Sequence, residues 1–295
     1  MALQAFKNSH LYRHYVRHSI WMPIRAQRWV FRSYAKLKRD RHLRNVAKED
    51  TKLLAEVREE FGHLYKNRKN PLVSITVATY NRARLLTDIV LPAALAQTYR
   101  NIEIIVVGDH CTDETAELMG KVKDPRVTFY NLSERQRYPK NKLKQWKVSG
   151  LNAIKHAHSM ARGLWIAHLD DDDVFTPDHV EKLLTHAIAH DCEFVSGRSR
   201  LELRPGQWIE RGKFLRRNGA ALEGYVTHST VLRRAYTKFF TADRCLETDL
   251  AGDSYVWHRM LNAGVRTGFV DEVVTLLPLR PGEMERSLQY YFNQC

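Results

Sequence analysis

The sequence has no run of apolar residues long enough to cross a membrane. No stretch approaches the ~18 to 20 residues that a spanning helix needs, and the N-terminus lacks the apolar core of a secretory signal peptide. We therefore expect a protein of the cytoplasm. With 44% hydrophobic and 10% aromatic residues over 295 positions, the composition is that of a folded protein and excludes general disorder.

Cysteine is scarce and scattered. The four cysteines are Cys111, Cys192, Cys245 and Cys295. None of them forms the CxxC spacing that is typical of structural zinc sites and redox motifs. They are expected to be free thiols in a reducing compartment, which again favours the cytoplasm.

Acidic residues are nearly absent from the first 45 positions. That stretch holds 11 Lys and Arg against Asp40 alone, a net charge of +10, whereas the remaining 250 residues carry 36 basic and 32 acidic groups. A basic arm on a nearly neutral body indicates an anionic partner, either lipid or nucleic acid. Nucleic acid is not expected, because the excess charge is confined to the arm and no nucleic-acid-binding motif is present. The partner expected for residues 1–45 is the inner, anionic face of a membrane, bound peripherally.

Residues 23–39 follow a helical period with one apolar and one basic face. Trp21 and Trp29 fall near the borders between the faces, a composition typical of helices on a membrane surface. A helix that docks on its own domain and leaves its basic face in solvent would show the same pattern, and the sequence leaves both interpretations open. A second helix is predicted over residues 50–65, and its apolar face should pack on the main domain. That face consists of Leu54, Val57, Phe61 and Leu64.

From residue 71 onward, apolar β-rich runs alternate with helical stretches. Strands are predicted over residues 72–78, 102–107, 127–130, 164–169 and 269–276, and helices over the stretch ending at 97, over 150–162, and over 253–261 closed by Gly264. This alternation predicts a mostly parallel α/β sheet with ligands at the carboxyl ends of its strands. Three polar loops, TYNR (79–82), GDHCTD (108–113) and DDDD (170–173), would share that edge and form one site.

The four consecutive aspartates raise the question of what offsets their mutual repulsion. Carboxylates at i and i+2 leave a hard divalent cation partly open, so that phosphates of a substrate complete its shell. An EF-hand is rejected, because Val174 and Phe175 stand where that loop needs an oxygen ligand and a glycine, and Thr176-Pro177 is predicted to start a helix. The alternative is that aspartates solvate the turn or favour the helix N-terminus, which is the preferred interpretation for Asp173.

Four segments in this order resemble the family 2 glycosyltransferases of GT-A fold: VSITVATYNR, EIIVVGDHCTDET, GLNAIKHAHSMARGLWIAHLDDDDVFTPDHVEKL and GDSYVWHRML. The resemblance covers residues 71–275. It implies a Rossmann-like, mostly parallel sheet flanked by helices, and a Mg²⁺ or Mn²⁺ cofactor. The implied reaction is inverting transfer of a sugar from a nucleotide-diphosphate sugar, UDP-linked in most members, to a hydroxyl of a saccharide or lipid-linked acceptor. The chain would then consist of a basic helical N-terminal extension (1–69), a nucleotide-sugar-binding half (70–191) and an acceptor-binding half (192–295).

The resemblance also implies roles for individual residues at the donor end of the site. The loop after the first strand would hold the nucleotide through Thr79, Tyr80 and Arg82. Asp109 would accept a hydrogen bond from the base. The family often has two aspartates before a glycine at this point, whereas this sequence has Gly108 and Asp109.

The DxD motif of the family corresponds to the first three aspartates of the run. Asp172 would be the direct metal ligand, with Asp170 beside it. Asp170 and Asp171 would also contact the donor, and Asp171 would lie near the ribose or the sugar. The basic loop 133–149 is expected to be solvated for most of its charges, with closure over the diphosphate as the alternative. His168 is expected to pack in the interior, and His228 to line the acceptor pocket.

The catalytic base of the family is the Asp of a Glu-Asp pair that opens a late helix. This sequence has Gly252-Asp253 there, so Asp253 is the expected base, which would take the proton of the acceptor hydroxyl. The alternative is that Asp253 only caps its helix, and Asp249 is the reserve candidate. Because glycine replaces an acid at positions 108 and 252, a non-catalytic binding scaffold is a further alternative.

Overall fold

The N-terminal part of the described chain is one long helix. The computed structural model describes the backbone of residues 24–66, 69–212 and 226–279, and the side chains from residue 33 onward within these ranges. Helix α1 (Ile24–Phe61) is 38 residues long and ends in a 3₁₀ turn, Gly62–Tyr65. The prediction of two helices separated near residue 45 is therefore wrong. No glycine or proline interrupts residues 24–61, so nothing in the sequence breaks the helix.

The C-terminal half of α1 docks on the rest of the protein. Leu43 and Leu54 are buried, and Val57 and Phe61 pack against the same core, which confirms three of the four residues of the predicted apolar face. The fourth, Leu64, lies in the 3₁₀ turn and is not part of this core. Leu37 is 65% exposed. The membrane interpretation of the arm stays a prediction, because Trp21 and the side chain of Trp29 lie outside the described residues. In the part of the chain that the structure describes, no helix combines the length and the hydropathy that a bilayer crossing requires.

Four parallel strands form the first half of the sheet, in the spatial order β3-β2-β1-β4. They are β1 (Val73–Thr79), β2 (Ile102–Gly108), β3 (Val127–Asn131) and β4 (Trp165–Asp170). The connecting helices are α2 (Ala83–Leu85), which continues through a π turn (Leu86–Val90) into α3 (Leu91–Leu95), then α4 (Thr115–Gly120), α5 (Lys142–Lys147) and α6 (Leu151–Met160). β1, β2 and β4 are buried over nearly their whole length, as expected for parallel strands covered on both faces.

The second half of the chain extends the same sheet in the order β4-β8-β6-β9-β5, with β7 paired to β6. Its elements are β5 (Val174–Phe175), α7 (His179–Ala189), β6 (Phe194–Arg204), β7 (Gln207–Arg211), β8 (Val231–Arg234), α8 (Cys245–Thr248), α9 (Gly252–Ala263) and β9 (Thr267–Leu277). β8 runs antiparallel to both β4 and β6, whereas β9 is parallel to β6. The result is the predicted α/β architecture. The division at residues 69 and 191 stays a prediction.

Helix α7 starts later than the sequence indicated. Thr176 and Pro177 were expected at its N-terminus, but the helix begins at His179 with Asp178 as the N-cap residue. The backbone N–H of Thr176 donates to the carbonyl of Val274 on β9 over 3.0 Å. Pairing with β9 therefore holds the residues after β5 outside the helix.

Two large apolar cores flank the sheet, and a small third cluster lies between β2 and α6. One lies under α3 and α7 and includes Ile75, Leu86 and Leu183. The other lies between α1, α6 and α9 and includes Leu54 and Tyr255. β4 separates the two, because alternate residues of a strand point to opposite faces. The carboxyl ends of β1, β2 and β4 thus emerge from the part of the sheet that is covered on both faces.

A buried histidine in the first core makes stability dependent on pH. His179 is fully buried, stacks on Phe175 at 3.5 Å and donates from Nδ1 to the carbonyl of Val274 over 2.9 Å. Burial lowers the pKa of His179 to about 3, below the ~6.5 of an unfolded chain. The unfolded state therefore binds the proton first, and stability that is complete above pH 6.5 is lost as the pH falls towards 3.

We expect this histidine alone to lower the free energy of unfolding by about 2 kcal/mol between pH 7 and pH 5. Urea unfolding of the wild type and of His179→Asn at both pH values measures it. The asparagine keeps an N–H donor for Val274 but has no titrating ring, so the variant should lose less stability on acidification. Equal losses in the two proteins would contradict this origin of the acid sensitivity.

Candidate functional site

Three polar loops lie side by side at the carboxyl edge of the parallel strands. In the sheet register, Thr79 at the end of β1 is opposite Gly108 at the end of β2, and Ala78 is opposite Asp170 at the end of β4. The backbone N–H of Asp109 donates to the carbonyl of Thr79 over 2.8 Å. The loops that the sequence singled out therefore form one continuous surface.

Arg82 connects the first loop with the aspartate run. Its Nη1 donates to Asp171 Oδ1 over 2.8 Å and to Asp172 Oδ2 over 2.7 Å, and the backbone N–H of Tyr80 lies 3.4 Å from Asp171 Oδ2. Burial raises the pKa of Asp171 to about 6 although Arg82 opposes this shift. Arg82 therefore offsets part of the repulsion among the aspartates. Asp173 is buried, and its N–H closes the turn on the carbonyl of Asp170 over 3.1 Å.

Asp109 is buried against two residues of the basic loop. Its side chain is buried, and Oδ2 accepts a hydrogen bond from the hydroxyl of Tyr138 over 2.5 Å. The Nε of Arg135 is 3.7 Å from the same oxygen, and its guanidinium lies 3.4 Å over the ring of Tyr80. Oδ1 of Asp109 is buried and has no hydrogen-bond partner among the described residues. Asp109 thus places one buried acceptor beside two planar groups.

Arg135 and Tyr138 were not identified as site residues from the sequence. They belong to the basic loop 133–149, whose charges were expected to be mostly solvated. The only signal was the alternation of arginines with an aromatic in ERQRY. Another member, Lys147, pairs with Asp249 over 2.6 Å and lies away from the aspartate run.

Two histidines converge on Asp170 and form a group that could hold a metal ion. His168 Nε2 is 3.3 Å and His228 Nδ1 is 4.0 Å from Asp170 Oδ1, and one ligand atom of each residue lies within 4.8 Å of the others. Burial acts to raise the pKa of Asp170. Hydrogen bonding to His168, the electrostatic effect of His168 and His228, and hydrogen bonding to Ser229 together outweigh burial and lower the pKa to about 2. A carboxylate that stays ionised beside two imidazoles is a suitable set of metal ligands.

This group differs from the ligand set expected from the sequence. Asp170 belongs to it, whereas Asp172 is directed to Arg82. His168 is packed, as expected, with Nδ1 3.0 Å from Thr76 Oγ1. Sequence spacing could not indicate the group, because His228 reaches it from the 3₁₀ turn before β8, a strand paired with β4.

Asp253 faces this group from the first turn of α9. Ala251 is the N-cap residue, so the interpretation of Asp253 as the cap is wrong. Oδ1 of Asp253 accepts the backbone N–H of Ser254 over 2.6 Å. Burial, reinforced by the negative charge of Asp170, raises the pKa of Asp253 to about 6. The reserve candidate, Asp249, is exposed and paired with Lys147.

Comparison with known proteins agrees with this arrangement. The family model for glycosyl transferase family 2 matches residues 74–241, which is more than half of the chain and contains all three loops. The chain belongs to this family. Asp253 lies beyond the matched region, so its role is not covered by the match.

Several curated relatives of the family are bacterial. WcaA of Escherichia coli (strain K12), named for glycosyl transfer in colanic acid biosynthesis, is 27% identical over 74% of this chain and 76% of its own length. The β-1,3-glucosyltransferase WfaP of Escherichia coli, whose name gives UDP-Glc and α-D-GlcNAc-diphosphoundecaprenol, is 37% identical over 35% of this chain. That match spans only 36% of the length of WfaP.

Solved structures share the fold. Staphylococcus aureus TarS, residues 1–349 in complex with UDP-GlcNAc, superposes with a TM-score of 0.56 over 73% of this chain and 60% of that TarS fragment, at 16% identity. The mannosyltransferase PcManGT of Pyrobaculum calidifontis, in complex with GDP-Man and Mn²⁺, gives a TM-score of 0.52 over 86% of this chain and 71% of its own, at 17% identity. At these identities the likeness establishes the GT-A fold alone.

The two glycines that replace acids of the family have steric reasons. A Cβ at position 108 would collide with Asn131 Oδ1, and that side chain is fixed by hydrogen bonds to the backbone N–H and carbonyl of Cys111 over 2.8 and 2.9 Å. A Cβ at position 252 would lie 3.1 Å from Leu151 and 3.3 Å from Ala242. Close packing therefore occupies the space of a side chain at both positions, while Asp109 and Asp253 keep their places.

Proposed function

We propose that this glycosyltransferase is metal-dependent and inverting, and that it moves a sugar from a UDP-linked donor to a hydroxyl of a saccharide or lipid-linked acceptor. The observation that carries the proposal is Oδ1 of Asp109, which is buried and has no hydrogen-bond partner within the described part of the chain, at the edge where the aspartate run ends. A buried acceptor without a donor is destabilising, and the N3–H of a uracil ring is a donor of the required kind. Tyr80 and Arg135 supply planar groups on which a base can stack.

The donor diphosphate would lie over the aspartate run. Thr79, Tyr80 and Arg82 line the first loop, and Asp171 is the carboxylate nearest to Tyr80. Arg82 forms ion pairs with Asp171 and Asp172. When the donor binds, the guanidinium of Arg82 would either keep these contacts or turn towards the phosphates. In both cases its positive charge would lie beside the diphosphate. TarS bound to UDP-GlcNAc supports a UDP-linked donor.

His168, Asp170 and His228 are the residues that would hold the metal ion, with Asp172 as a further predicted ligand. Two imidazoles and a carboxylate suit Mn²⁺ better than Mg²⁺, which prefers oxygen ligands in octahedral geometry. The Mn²⁺ complex of PcManGT supports the same choice. When bound, the ion neutralises charge on the departing diphosphate.

Asp253 would act as the general base. A pKa of about 6 leaves the carboxylate mostly ionised at neutral pH and still basic enough to take a proton. Direct attack by the deprotonated acceptor hydroxyl inverts the configuration at the sugar carbon. The diphosphoundecaprenol-linked saccharide in the name of WfaP supports a lipid-linked acceptor.

The test is a thermal-shift panel of nucleoside diphosphates with and without Mn²⁺. A ligand that binds only the folded state raises its stability, by about 2.7 kcal/mol at a hundredfold excess over Kd. We expect UDP with Mn²⁺ to give the largest shift, and Asp172→Ala to remove the dependence on the metal without unfolding the protein. Unchanged metal-dependent binding of UDP by Asp172→Ala would contradict the role of Asp172.

The basic arm is proposed to bind anionic lipid and bring the enzyme to a membrane-embedded acceptor. Each basic residue near such a surface contributes about 1 kcal/mol, and screening at high salt should weaken the attachment. Co-sedimentation with neutral and anionic vesicles measures this, with residues 1–32 removed as the control, because Leu43 is buried in the domain. Equal binding to both vesicle types, or none to either, would contradict the proposal.

A further inference from the structure

A cavity opens on the face of the sheet that lies below α6 and α9. Its volume is about 40 Å³, which is room for a few waters, at ~10 to 15 Å³ for each, or for one small anionic group. Much of its wall is apolar, with Leu151, Phe240 and Trp257 among the lining residues. The polar lining is cationic or imidazole in character apart from one threonine, and no Asp or Glu of the described chain lines it. It consists of Lys155, His158, His168, His228, Arg233 and Thr241.

Arg233 reaches this cavity because of the alternation of side chains along β8. Val231 and Arg233 point to the cavity, whereas Leu232 between them belongs to the core on the opposite face. The register pairs Arg233 with Ile166 on β4, and Ile166 also lines the cavity. An arginine therefore occupies an inward position at which the strand pattern requires an apolar residue.

The guanidinium of Arg233 has no counterion within residues 33–66, 69–212 and 226–279. Only 5% of the residue is exposed, and its hydrogen bonds go to two neutral groups, the carbonyl of Thr237 at 3.1 Å and His158 Nδ1 at 3.2 Å. Burial lowers the pKa of Arg233 to about 10, so the group is still charged at neutral pH. A buried charge without an opposite charge is unfavourable, and an anion in the cavity would relieve this.

His158 supplies a second donor to the same cavity. An arginine can only donate hydrogen bonds, so His158 Nδ1 must accept, and the proton of the neutral ring is then on Nε2. Nε2 is buried and has no partner among the described residues. Only 9% of His158 is exposed. Arg233 and His158 together present donors, and the cavity wall presents no competing carboxylate.

We propose that this cavity is an oxyanion subsite, in which Arg233 and His158 hold a phosphate or carboxylate group carried by the acceptor. The assignment of this anionic group to the acceptor rests on the proposed function. The cavity shares His168 and His228 with the group around Asp170, and its wall includes Val256 and Trp257, one turn beyond Asp253 on α9. An anionic group bound here would therefore lie on the side of the predicted base and away from Asp109.

The test compares thermal unfolding of the full chain with inorganic phosphate, a monosaccharide 1-phosphate and the corresponding methyl glycoside. Ionic strength is held constant, and EDTA excludes phosphate bound through a metal. At about tenfold excess over Kd, the sugar phosphate should raise Tm by about 2 to 4 °C, and the neutral glycoside should not. An equal response to inorganic phosphate would overturn the acceptor as the source of the anion, and no response to either phosphate would overturn the subsite.

Two variants assign the effect to the cavity. Arg233→Met should abolish the shift without lowering Tm in the absence of anion, because it removes an uncompensated charge and the carbonyl of Thr237 keeps the N–H of Phe240 at 3.1 Å. His158→Phe should weaken the shift and decides the matter if Arg233→Met does not fold. A full shift in a folded variant would overturn the proposal. Binding of UDP with Mn²⁺ should survive in both, which separates this proposal from the proposed function.

Discussion

Asp253→Asn is expected to lower the rate of sugar transfer by about 10² to 10⁴, the range associated with loss of a general base. Asparagine has the shape of aspartate and can still accept the N–H of Ser254, which Asp253 Oδ1 accepts at 2.6 Å. It cannot take a proton from the acceptor hydroxyl. The folded state and the affinity for UDP should therefore be unchanged while turnover collapses. The measurement is transfer from a UDP-sugar to a panel of saccharide and diphosphate-linked acceptors, with UDP affinity determined in parallel.

Asp249→Asn is the matched control for this variant. Asp249 is four residues away, exposed, and paired with Lys147, and its φ of +63° is one that asparagine tolerates well. The control should transfer at close to the wild-type rate. A loss at Asp249 equal to that at Asp253, or a loss of UDP binding in Asp253→Asn, would show that the substitution acts on the structure of the α9 N-terminus and not on proton transfer.

Glu193→Ala is expected to lower the free energy of unfolding by about 3 to 5 kcal/mol, the usual cost of breaking a buried ion pair. Glu193 is fully buried just before β6. It accepts two hydrogen bonds from Arg58 of α1 at 2.7 and 2.6 Å, one from the hydroxyl of Tyr236 at 2.6 Å and one from the backbone N–H of Arg266 at 2.7 Å. Burial acts to raise the pKa of Glu193, but these partners outweigh it and hold the pKa below its usual value.

The second carboxylate for this comparison is Glu210, which pairs with Arg200 at 3.1 Å on the exposed β6–β7 hairpin. Exposed pairs contribute little, so Glu210→Ala should leave the urea midpoint nearly unchanged. A large effect at Glu193 would show that this buried carboxylate and its partners, among them Arg58 of α1, stabilise the folded domain. A small effect at both positions would mean that the Arg58–Glu193 pair contributes little to the attachment of α1, which also has its apolar face and the buried Asp50–Arg259 pair.

The first half of the fold could be predicted from the sequence because its signals are local. The runs LVSITVA and IEIIVV differ from β1 (Val73–Thr79) and β2 (Ile102–Gly108) by a residue or two at their ends. Each run is followed by a polar loop and a helical period, and parallel strands bring their carboxyl ends to one edge. The placement of Asp109 beside the aspartate run followed from that rule without any knowledge of side-chain contacts.

The remainder depends on pairings between distant segments. His228 joins Asp170 only because β8 inserts antiparallel beside β4, and no periodicity in the sequence indicates that pairing. Arg135 lies over Tyr80 because the chain after β3 turns back to the edge. The continuity of α1 was missed because the basic amphipathic stretch and the later apolar face were taken as two helices, although no residue between them breaks the helix.

The central claim is that this chain is an active glycosyltransferase and not a binding scaffold, and release of UDP from a UDP-sugar tests it most directly. Many transferases hydrolyse their donor slowly when water replaces the acceptor, and the same metal and base would serve that reaction. We expect release of UDP that requires Mn²⁺, stops with EDTA, and falls steeply in Asp253→Asn. Binding of UDP with Mn²⁺ but no release from any UDP-sugar or GDP-sugar, in the wild type and at saturating donor, would contradict the claim and favour the scaffold.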